Sequence, residues 1–358
     1  MSVVGITKVA KRYGRVTALE DVSMTIADGE FFGLLGPSGG GKTTLLRSIA
    51  GFIDPDDGEI SIDGKPVKNI PINKRDIGMM FQNYALFPHM TVTDNIGFGL
   101  SVRHRPKAEI EARVTELLRL VRLEGFGERK PRQLSGGQQQ RIALARALAT
   151  NPRVLLLDEP LGALDKKLRE EMQFELKQIQ RNVGITTVFV THDQEEALTL
   201  SDRIAIMSEG KVLQIGAPRD IYERPRTRFA AGFLGTANFF EGTVSGREGG
   251  LTRILLAGGT AIFTRDEAPE GRSVTIAVRP EKFTVGGATP APASDAQVNR
   301  IAGRIAGEVF AGNSVTYRID AAGRIVTVYM QNRMTERLGP DAPVTLTWDP
   351  AHSIVLED

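Results

Sequence analysis

A chain of 358 residues is longer than one typical domain and predicts two domains with a sizeable core. Its 45 basic and 43 acidic side chains nearly balance, so charge gives no reason to expect a nucleic-acid partner. The sequence contains no cysteine, which excludes disulfides, cysteine-ligated zinc and thiol catalysis and fits a reducing cytosol.

The N-terminal stretch MSVVGITKVAKRYG has no apolar run of the length that a signal peptide needs. No segment approaches the roughly 20 apolar residues of a membrane-spanning helix. We therefore expect any membrane role to depend on a partner protein.

The first two-thirds of the chain alternates between strand-like and helix-like segments. EFFGLLG (30–36) is a short apolar run that ends in glycine, and KTTLLRSIAGF (42–52) has helical spacing with a stop at Gly51. RVLLLDE and TTVFVTH are continuous apolar runs, typical of buried parallel strands. Between them, an amphipathic helix is predicted over 105–123, with its apolar stripe at Ile110, Val114, Leu117, Leu118 and Val121. The alternation predicts βαβ units in one sheet.

The segment GPSGGGKT (36–43) matches G-x-x-x-x-G-K-[ST] between a predicted strand and a predicted helix. Its glycines let backbone amides face an anion, Lys42 can reach the β- and γ-phosphates, and the Thr43 hydroxyl can bind Mg²⁺. The alternative is a glycine turn with an incidental lysine. The predicted nucleotide contacts here are Gly36, Pro37, Ser38, Gly39, Gly40, Gly41, Lys42, Thr43 and Thr44.

Polar residues also follow three other apolar runs. Asp158 ends RVLLLD, where a carboxylate can hold Mg²⁺, and the next residue, Glu159, is placed to activate a water. His192 ends TTVFVTH, and its strand should lie beside that of Asp158, which favours a contact with the γ-phosphate or the water. Gln82 follows another apolar run and could touch the metal or the water. The alternatives are solvated surface charge for the acidic pair, a packed histidine, and an ordinary loop glutamine.

The stretch LSGGQQQR (134–141) has almost no apolar face to bury. We interpret it as a surface loop, rather than an ordinary helix start, whose backbone amides approach a ligand ahead of the helical run IALARALA. The alternative is a helix-entry loop without a ligand.

Together, these motifs resemble the ATP-binding subunit of ATP-binding-cassette (ABC) transporters over residues 1 to about 235. The motifs stand in the family's order: Tyr13 as the aromatic that stacks on adenine, Walker A at 36–43, Gln82 as the Q-loop, Leu134 to Gln138 as the signature, Walker B at 154–159, GALD (162–165) as the D-loop, and His192 as the switch histidine. In GALD, Gly162 stands where serine is frequent.

The resemblance implies a homodimer around ATP and Mg²⁺. Ser135, Gly136, Gly137 and Gln138 of a second copy would close over the γ-phosphate. A helical subdomain is expected at about 85–152. Within the segment 82–100, the Gln82 to Pro88 region would receive a short helix of a separate permease, although its apolar residues could instead pack internally.

After about residue 235 glycine pairs and short β-branched runs replace the helices, which predicts a small all-β domain at 236–358. The segment 286–299 has the composition of a surface loop. TANFFEGTV, VRPEKF and LTWDPAHSIVLED resemble the OB-like β-barrel appendage of importer ATPases, which implies dimerisation or binding of a regulator.

The predicted fold is therefore α/β: a P-loop NTPase with a helical subdomain, followed by an all-β OB-like barrel. The predicted function is an ATPase at the cytoplasmic face of the membrane that powers uptake through a permease and an external solute-binding protein. The pattern, including Trp348, is most similar to the spermidine/putrescine and ferric-iron branch, with sulfate and sugar importers as alternatives. A soluble ABC ATPase without transport and a regulatory binding module are the competing classes.

Overall fold

The computed structural model describes residues 2–162, 165–287, 298–332 and 338–358. The chain divides into two compact units, Met1–Pro218 and Arg219–Asp358. The sequence analysis predicted a boundary near residue 235, which is 17 residues after Pro218. The intervening segment belongs to the second unit because the buried guanidinium of Arg279 donates to the backbone oxygens of Tyr222, Ala231, Gly235 and Thr236.

The first unit contains ten strands and six α-helices among its described residues. The strands are β1 (Val4–Tyr13), β2 (Val16–Ile26), β3 (Phe31–Leu35), β4 (Asp57–Ile62), β5 (Lys65–Pro66), β6 (Ile77–Met80), β7 (Val154–Asp158), β8 (Thr186–Thr191), β9 (Arg203–Ser208) and β10 (Lys211–Gly216). The helices are α1 (Lys42–Ala50), α2 (Val92–Val102), α3 (Lys107–Leu120), α4 (Gly136–Leu148), α5 (Lys166–Val183) and α6 (Gln194–Leu200).

A six-stranded sheet with the order β10-β9-β3-β8-β7-β6 forms the centre of the first unit. Strands β9, β3, β8, β7 and β6 are parallel, and β10 is the antiparallel edge. Parallel strands end at a common edge of a sheet, so the residues after β3, β6, β7 and β8 are brought together. The predicted neighbours β7 and β8 are adjacent, as the sequence indicated.

Burial explains why these segments became strands and helices. Every residue of β3, β7 and β8 is buried, which matches the uninterrupted apolar runs. Helix α1 ends at Gly51, whose φ of 93° is the left-handed conformation that a glycine tolerates. In α3 the predicted stripe faces the core: Val114, Leu117 and Leu118 are buried.

A second sheet, β2-β1-β4-β5, is antiparallel and carries Tyr13 at the end of β1. Helices α2, α3 and α4 and part of the central sheet share one hydrophobic core, which includes Ile96, Leu117, Ile142 and Leu155. None of the helices in the described ranges combines the length and the apolar character of a bilayer crossing.

The second unit begins with two short helices, α7 (Pro218–Glu223), which starts at the last residue of the first unit, and α8 (Arg228–Phe233). Two five-stranded sheets follow, ordered β13-β12-β11-β14-β20 and β15-β19-β16-β17-β18. Their strands are β11 (Asn238–Glu248), β12 (Leu251–Leu256), β13 (Ala261–Thr264), β14 (Ser273–Val278), β15 (Thr284–Gly287), β16 (Asn299–Phe310), β17 (Ser314–Ala321), β18 (Arg324–Gln331), β19 (Pro343–Trp348) and β20 (Ile354–Val355). The predicted all-β character of this region is confirmed.

Three residues of the predicted surface loop at 286–299 belong to strands instead. Gly286 and Gly287 pair with β19 as part of β15, and Asn299 opens β16. Residues 288–297 lie outside the described part of the chain.

Trp348 is the centre of the core of the second unit. Its ring stacks on Phe240 at 5.8 Å and packs against Phe283 at 5.0 Å between ring centroids. Its indole Nε1 donates a 2.9 Å hydrogen bond to the hydroxyl of Ser353, which also accepts from the side-chain amide of Asn299. One buried side chain therefore joins both sheets and the C-terminal segment.

We expect Trp348→Ala to lower the free energy of unfolding of the second unit by about 3–5 kcal/mol, because it removes a buried ring and leaves a cavity. Trp348→Phe should lower the free energy of unfolding by less, since a ring remains to stack on Phe240. The measurement is denaturant unfolding followed by circular dichroism, because Trp348 is the chain's only tryptophan and its fluorescence is lost in both variants. Equal loss in both variants would show that ring packing is not the stabilising interaction.

Candidate functional site

The residues that follow β6, β7 and β8 meet at the carboxyl edge of the central sheet. The side-chain Nε2 of Gln82 donates a 2.6 Å hydrogen bond to Oε2 of Glu159. On the other side, Nδ1 of His192 lies 3.3 Å from Oε1 of Glu159. The side chains of Gln82 and His192, which are distant in sequence, thus share the carboxylate of Glu159, and the sequence analysis had selected all three residues.

Glu159 itself has an unusual backbone. Its φ is +46°, a left-handed conformation that is strained for a residue with a Cβ. Its amide donates a 3.1 Å hydrogen bond to the carbonyl of Val190 in β8, which stabilises this conformation. In this conformation the carboxylate of Glu159 contacts both Gln82 and His192.

The glycine-rich segment 36–41 folds tightly against the neighbouring backbone. Gly39 and Gly41 have φ values of +80° and +96°. A Cβ on Gly41 would lie 2.5 Å from the carbonyl oxygen of Ala18, and one on Gly36 would clash with the carbonyl of Met207. Glycine is therefore required at Gly36 and Gly41 by the packing of this chain alone, before any ligand is considered.

Lys42 begins helix α1 and is folded back onto the loop. Its ammonium donates to the backbone oxygens of Gly36 at 2.7 Å and Pro37 at 2.9 Å. Burial lowers the pKa of Lys42, and the charges of Glu159 and Asp158 oppose that shift. The ammonium lies in a largely desolvated loop where an anion with several oxygens could replace the two carbonyls.

Asp158 ends β7 and is buried, with 5% of its surface exposed. Burial raises the pKa of its carboxyl, and Arg47, the Thr43 hydrogen bond and Lys42 act in the opposite direction. Thr43 and Asp158 therefore bring a hydroxyl and a carboxylate together at the start of α1. No group of three His, Asp or Glu side chains within the described residues could hold a metal by itself.

The turn after Gln82 depends on an arginine of helix α4. Tyr84 and Ala85 both have positive φ, at 60° and 47°. The guanidinium of Arg146 donates to the carbonyls of both residues, at 2.8 and 2.7 Å. The ring of Tyr84 is buried in the core, so one of the residues expected at a permease surface packs internally.

A buried asparagine fixes the rest of this segment. The side chain of Asn95 in α2 accepts from the amide of Phe87 and donates to the carbonyls of Phe87 and Thr91. Phe87 and Phe98 lie 4.6 Å apart between centroids, and Phe98 remains 37% exposed. Leu86 and Phe87 are half-buried and Pro88 is exposed, so this part of the loop presents apolar surface.

The LSGGQQQR interpretation needs a correction. Helix α4 begins at Gly136, and Ser135 is an ordinary N-cap: its hydroxyl accepts from the amide of Gln138, whose side chain accepts from the amide of Ser135. Gly137 is buried, and a Cβ there would approach Leu168 of α5 at 3.2 Å. Ser135 and Gly136 remain exposed at the helix N-terminus.

Tyr13 and the predicted D-loop are the remaining predicted features. Tyr13 is 49% exposed at the end of β1, with the ammonium of Lys11 5.6 Å from its ring. In the predicted D-loop, Ala163 and Leu164 lie outside the described residues. Asp165 caps helix α5 through a 3.0 Å hydrogen bond from the amide of Leu168.

Sequence reasoning missed the residues that hold the site in place. The contacts that Arg146, Asn95 and Arg169 make span 4 to 62 positions, and most are too long for a local pattern to mark. The capping box of α4 was readable, because S-x-x-Q at Ser135–Gln138 is the pattern of a helix start.

The fold and the arrangement of this loop with the strand-end carboxylates define a P-loop NTPase. The family model for the ABC transporter matches residues 19–162, and the model for the TOBE domain matches residues 276–356.

Over 99% of its length the chain is 49% identical to the spermidine/putrescine import ATP-binding protein PotA of Rubrobacter xylanophilus, covering 93% of that protein. It is 50% identical over the same share to the protein of that name from Thermobifida fusca, again covering 93% of it. The chain therefore belongs to the ATP-binding proteins of the ABC transporter family, and it is an ATPase. The predicted family and the predicted α/β fold with an OB-like C-terminal domain are confirmed.

Solved structures agree with this assignment for the first unit. A dimeric bacterial ABC transporter cassette is similar with a TM-score of 0.55 and 37% identity, over 60% of this chain and 99% of that one. A dimeric ATP-binding cassette in a post-hydrolysis state, bound to ADP and Pi, is similar with a TM-score of 0.54 and the same identity and coverage.

We expect Gly41→Ala to destabilise the protein more than Gly39→Ala. Both glycines have positive φ, which costs a residue with a Cβ about 1–2 kcal/mol, but only Gly41 also lacks room for the Cβ. The measurement is the free energy of unfolding without nucleotide, so that effects on ligand binding do not enter. Equal losses of free energy of unfolding in the two variants would mean that the backbone around Ala18 moves away from the new Cβ at no energetic cost.

Proposed function

We propose that this protein is the ATP-hydrolysing subunit of an importer that takes up spermidine and putrescine through a separate permease. The observation that carries the proposal is the shared contact of Gln82, Glu159 and His192 beside the phosphate loop. The full-length similarity to two spermidine/putrescine import ATP-binding proteins supports the solute class.

In this proposal the nucleotide is ATP, held by the backbone amides of residues 36–41, by Lys42, Thr43 and Thr44, and by stacking of adenine on Tyr13. Lys42 exchanges the carbonyls of Gly36 and Pro37 for phosphate oxygens, which removes its present hydrogen bonds but keeps its charge paired. The neighbour bound to ADP and Pi supports a nucleotide at this loop.

Mg²⁺ is the proposed metal, and the donor set suits it. The hydroxyl of Thr43, the carboxylate of Asp158 and the side-chain oxygen of Gln82 are the oxygen ligands that a hard cation prefers. Gln82 uses its nitrogen for Glu159, so its oxygen remains for the ion. When bound, Mg²⁺ neutralises negative charge on the phosphates.

The proposed chemistry assigns one task to each remaining side chain. Glu159 takes the proton of the attacking water as general base. His192 positions the water and the γ-phosphate. The contact of His192 with Glu159 fixes the spacing between the imidazole and the carboxylate. Lys42 stabilises the charge that develops on the γ-phosphate.

A second copy of the chain completes the site in this proposal. Ser135, Gly136, Gly137 and Gln138 of the second copy approach the γ-phosphate with the amides at the N-terminus of α4. Ser135 and Gly136 are exposed and could reach a ligand, whereas Gly137 faces Leu168 of its own chain. The dimeric cassette among the similar structures supports this arrangement.

The permease would dock on the surface formed by Leu86, Phe87, Pro88 and Phe98, which places the protein at the cytoplasmic face of the membrane. A ligand-induced shift of Gln82 would reach this surface through the turn that Arg146 holds. An external solute-binding protein would deliver the polyamine. Residues 1–235 would carry nucleotide binding, with a helical subdomain at about 85–152, and residues 236–358 would support the dimer or bind a regulator.

We expect Glu159→Gln to lower kcat for ATP hydrolysis by about 10²–10⁴-fold and to trap an ATP-bound dimer, because the base is lost while the shape is kept. Gln82 can still donate to the new amide oxygen, so folding should be preserved. The measurements are phosphate release and size-exclusion chromatography in Mg-ATP. Glu124→Gln, an exposed carboxylate away from the site, is the control. Normal hydrolysis by Glu159→Gln would refute the role of Glu159 as general base. If the Glu159→Gln variant elutes as a monomer in Mg-ATP, the proposed ATP-bound dimer is refuted.

We expect the protein, reconstituted in proteoliposomes with any permease and solute-binding protein that neighbouring genes encode, to drive ATP-dependent uptake of spermidine or putrescine. The measurement is accumulation of labelled polyamine with ATP on the side of this subunit. Uptake of ferric iron, sulfate or a sugar instead would reject the polyamine assignment but keep the transport function. ATP hydrolysis by the reconstituted complex without uptake of any of these solutes would reject transport itself.

A further inference from the structure

The turn that carries His192 is fixed from the side opposite Glu159. The hydroxyl of Thr191 donates a 2.6 Å hydrogen bond to Oε2 of Glu196 and accepts a 3.0 Å bond from the amide of Asp193. Oδ1 of Asp193 accepts from the amides of Glu195 and Glu196 at the start of helix α6. His192 therefore stands between two residues that are both anchored to the same helix start.

One cation, Arg169 of helix α5, meets both carboxylates of this turn. Its Nη1 donates a 2.8 Å hydrogen bond to Oδ2 of Asp193, and its Nε lies 3.8 Å from Oε1 of Glu196. The carboxylate of Glu196 is 3% exposed, and the side chains of Arg169 and Asp193 are 30% and 24% exposed. Burial raises the pKa of Glu196, while the Thr191 hydrogen bond and the charge of Arg169 favour its ionised form.

The first turn of α5 also contacts helix α4, which we call the signature helix because Ser135 to Gln138 lie at its N-terminus. Leu168, the residue before Arg169, packs so closely on Gly137 of α4 that a Cβ there would approach it at 3.2 Å. Asp165 starts this turn by accepting from the amide of Leu168. A displacement of the N-terminus of α4 would therefore press on Leu168 and move Arg169 with it.

We propose that Arg169 is a positioning residue, which transmits the position of the signature helix to His192 and sets the distance between His192 and Glu159. The proposal rests on the proposed roles of His192 and Glu159 in hydrolysis. Arg169 acts on the His192 turn through Asp193 and Glu196, so its loss should affect the chemical step more than ATP binding.

The experiment compares Arg169→Gln and Arg169→Lys in the purified full-length chain by steady-state ATP hydrolysis. We expect Arg169→Gln to lower kcat on the order of 10-fold, with KM for ATP within about 2-fold of the wild type. Arg169→Lys, which keeps the charge, should recover a substantial part of kcat. In a double-mutant cycle, Asp193→Asn combined with Arg169→Gln should lose less than the sum of the single losses, because both remove the same ion pair.

Arg203→Gln is the matched control. Arg203 also pairs with a buried carboxylate, that of Glu30 at 3.4 Å, but it lies at the start of β9, at the opposite edge of the sheet. The Arg203→Gln variant should have a lower Tm than the wild type but should keep the wild-type kcat. An Arg169→Gln variant whose kcat falls no further than that of Arg203→Gln, or whose KM rises in parallel with the loss of kcat, would overturn the proposal.

Failure of the positioning role of Arg169 can be distinguished from failure of the proposed function. If wild-type protein and Glu159→Gln hydrolyse ATP equally, the assignment of the catalytic residues fails. If Glu159→Gln is inactive while Arg169→Gln has normal kcat, only the positioning role fails.

Discussion

The carboxylate of Glu159, held between Gln82 and His192, is the contact on which the rest of the site depends. The three residues follow β7, β6 and β8, which are neighbours in the sheet and end at the same edge. A one-residue slip in the register of any of these strands would turn its side chains to the opposite face and separate the three groups. Every residue of β7 and β8 is buried, so these polar groups lie where two core strands reach the edge of the sheet.

The parts of the site outside the sheet are held by a small number of side-chain to backbone bonds. Arg146 fixes the turn after Gln82, and Asn95 fixes the apolar segment that follows it. Lys42 is bound to its own loop, which keeps a buried charge paired until a ligand offers better acceptors.

Motifs whose function depends on local backbone were predictable. The phosphate loop needs consecutive glycines and a following lysine, and the structure adds a reason internal to the fold: Gly41 has no room for a Cβ beside Ala18. The signature stretch was interpreted partly wrongly, because its lack of an apolar face suggested a loop. Ser135 and Gln138 instead form a capping box, and Gly137 packs on Leu168, so part of its glycine content serves the helix contact within one chain. The division into compact units falls at Pro218 rather than near 235, and the backbone bonds of Arg279 to residues 222–236 have no signature in sequence.

The sequence by itself determined the alternation of strands and helices, the identity of the phosphate loop, and the three polar residues at the strand ends. It could do so because burial periodicity and glycine backbone requirements are properties of neighbouring residues. Only the tertiary structure decided that Gln82 and His192 share Glu159, that Tyr84 is buried, and that Arg169 pairs with Asp193 in the His192 turn. These contacts join residues far apart in the chain, and packing of the core selects them.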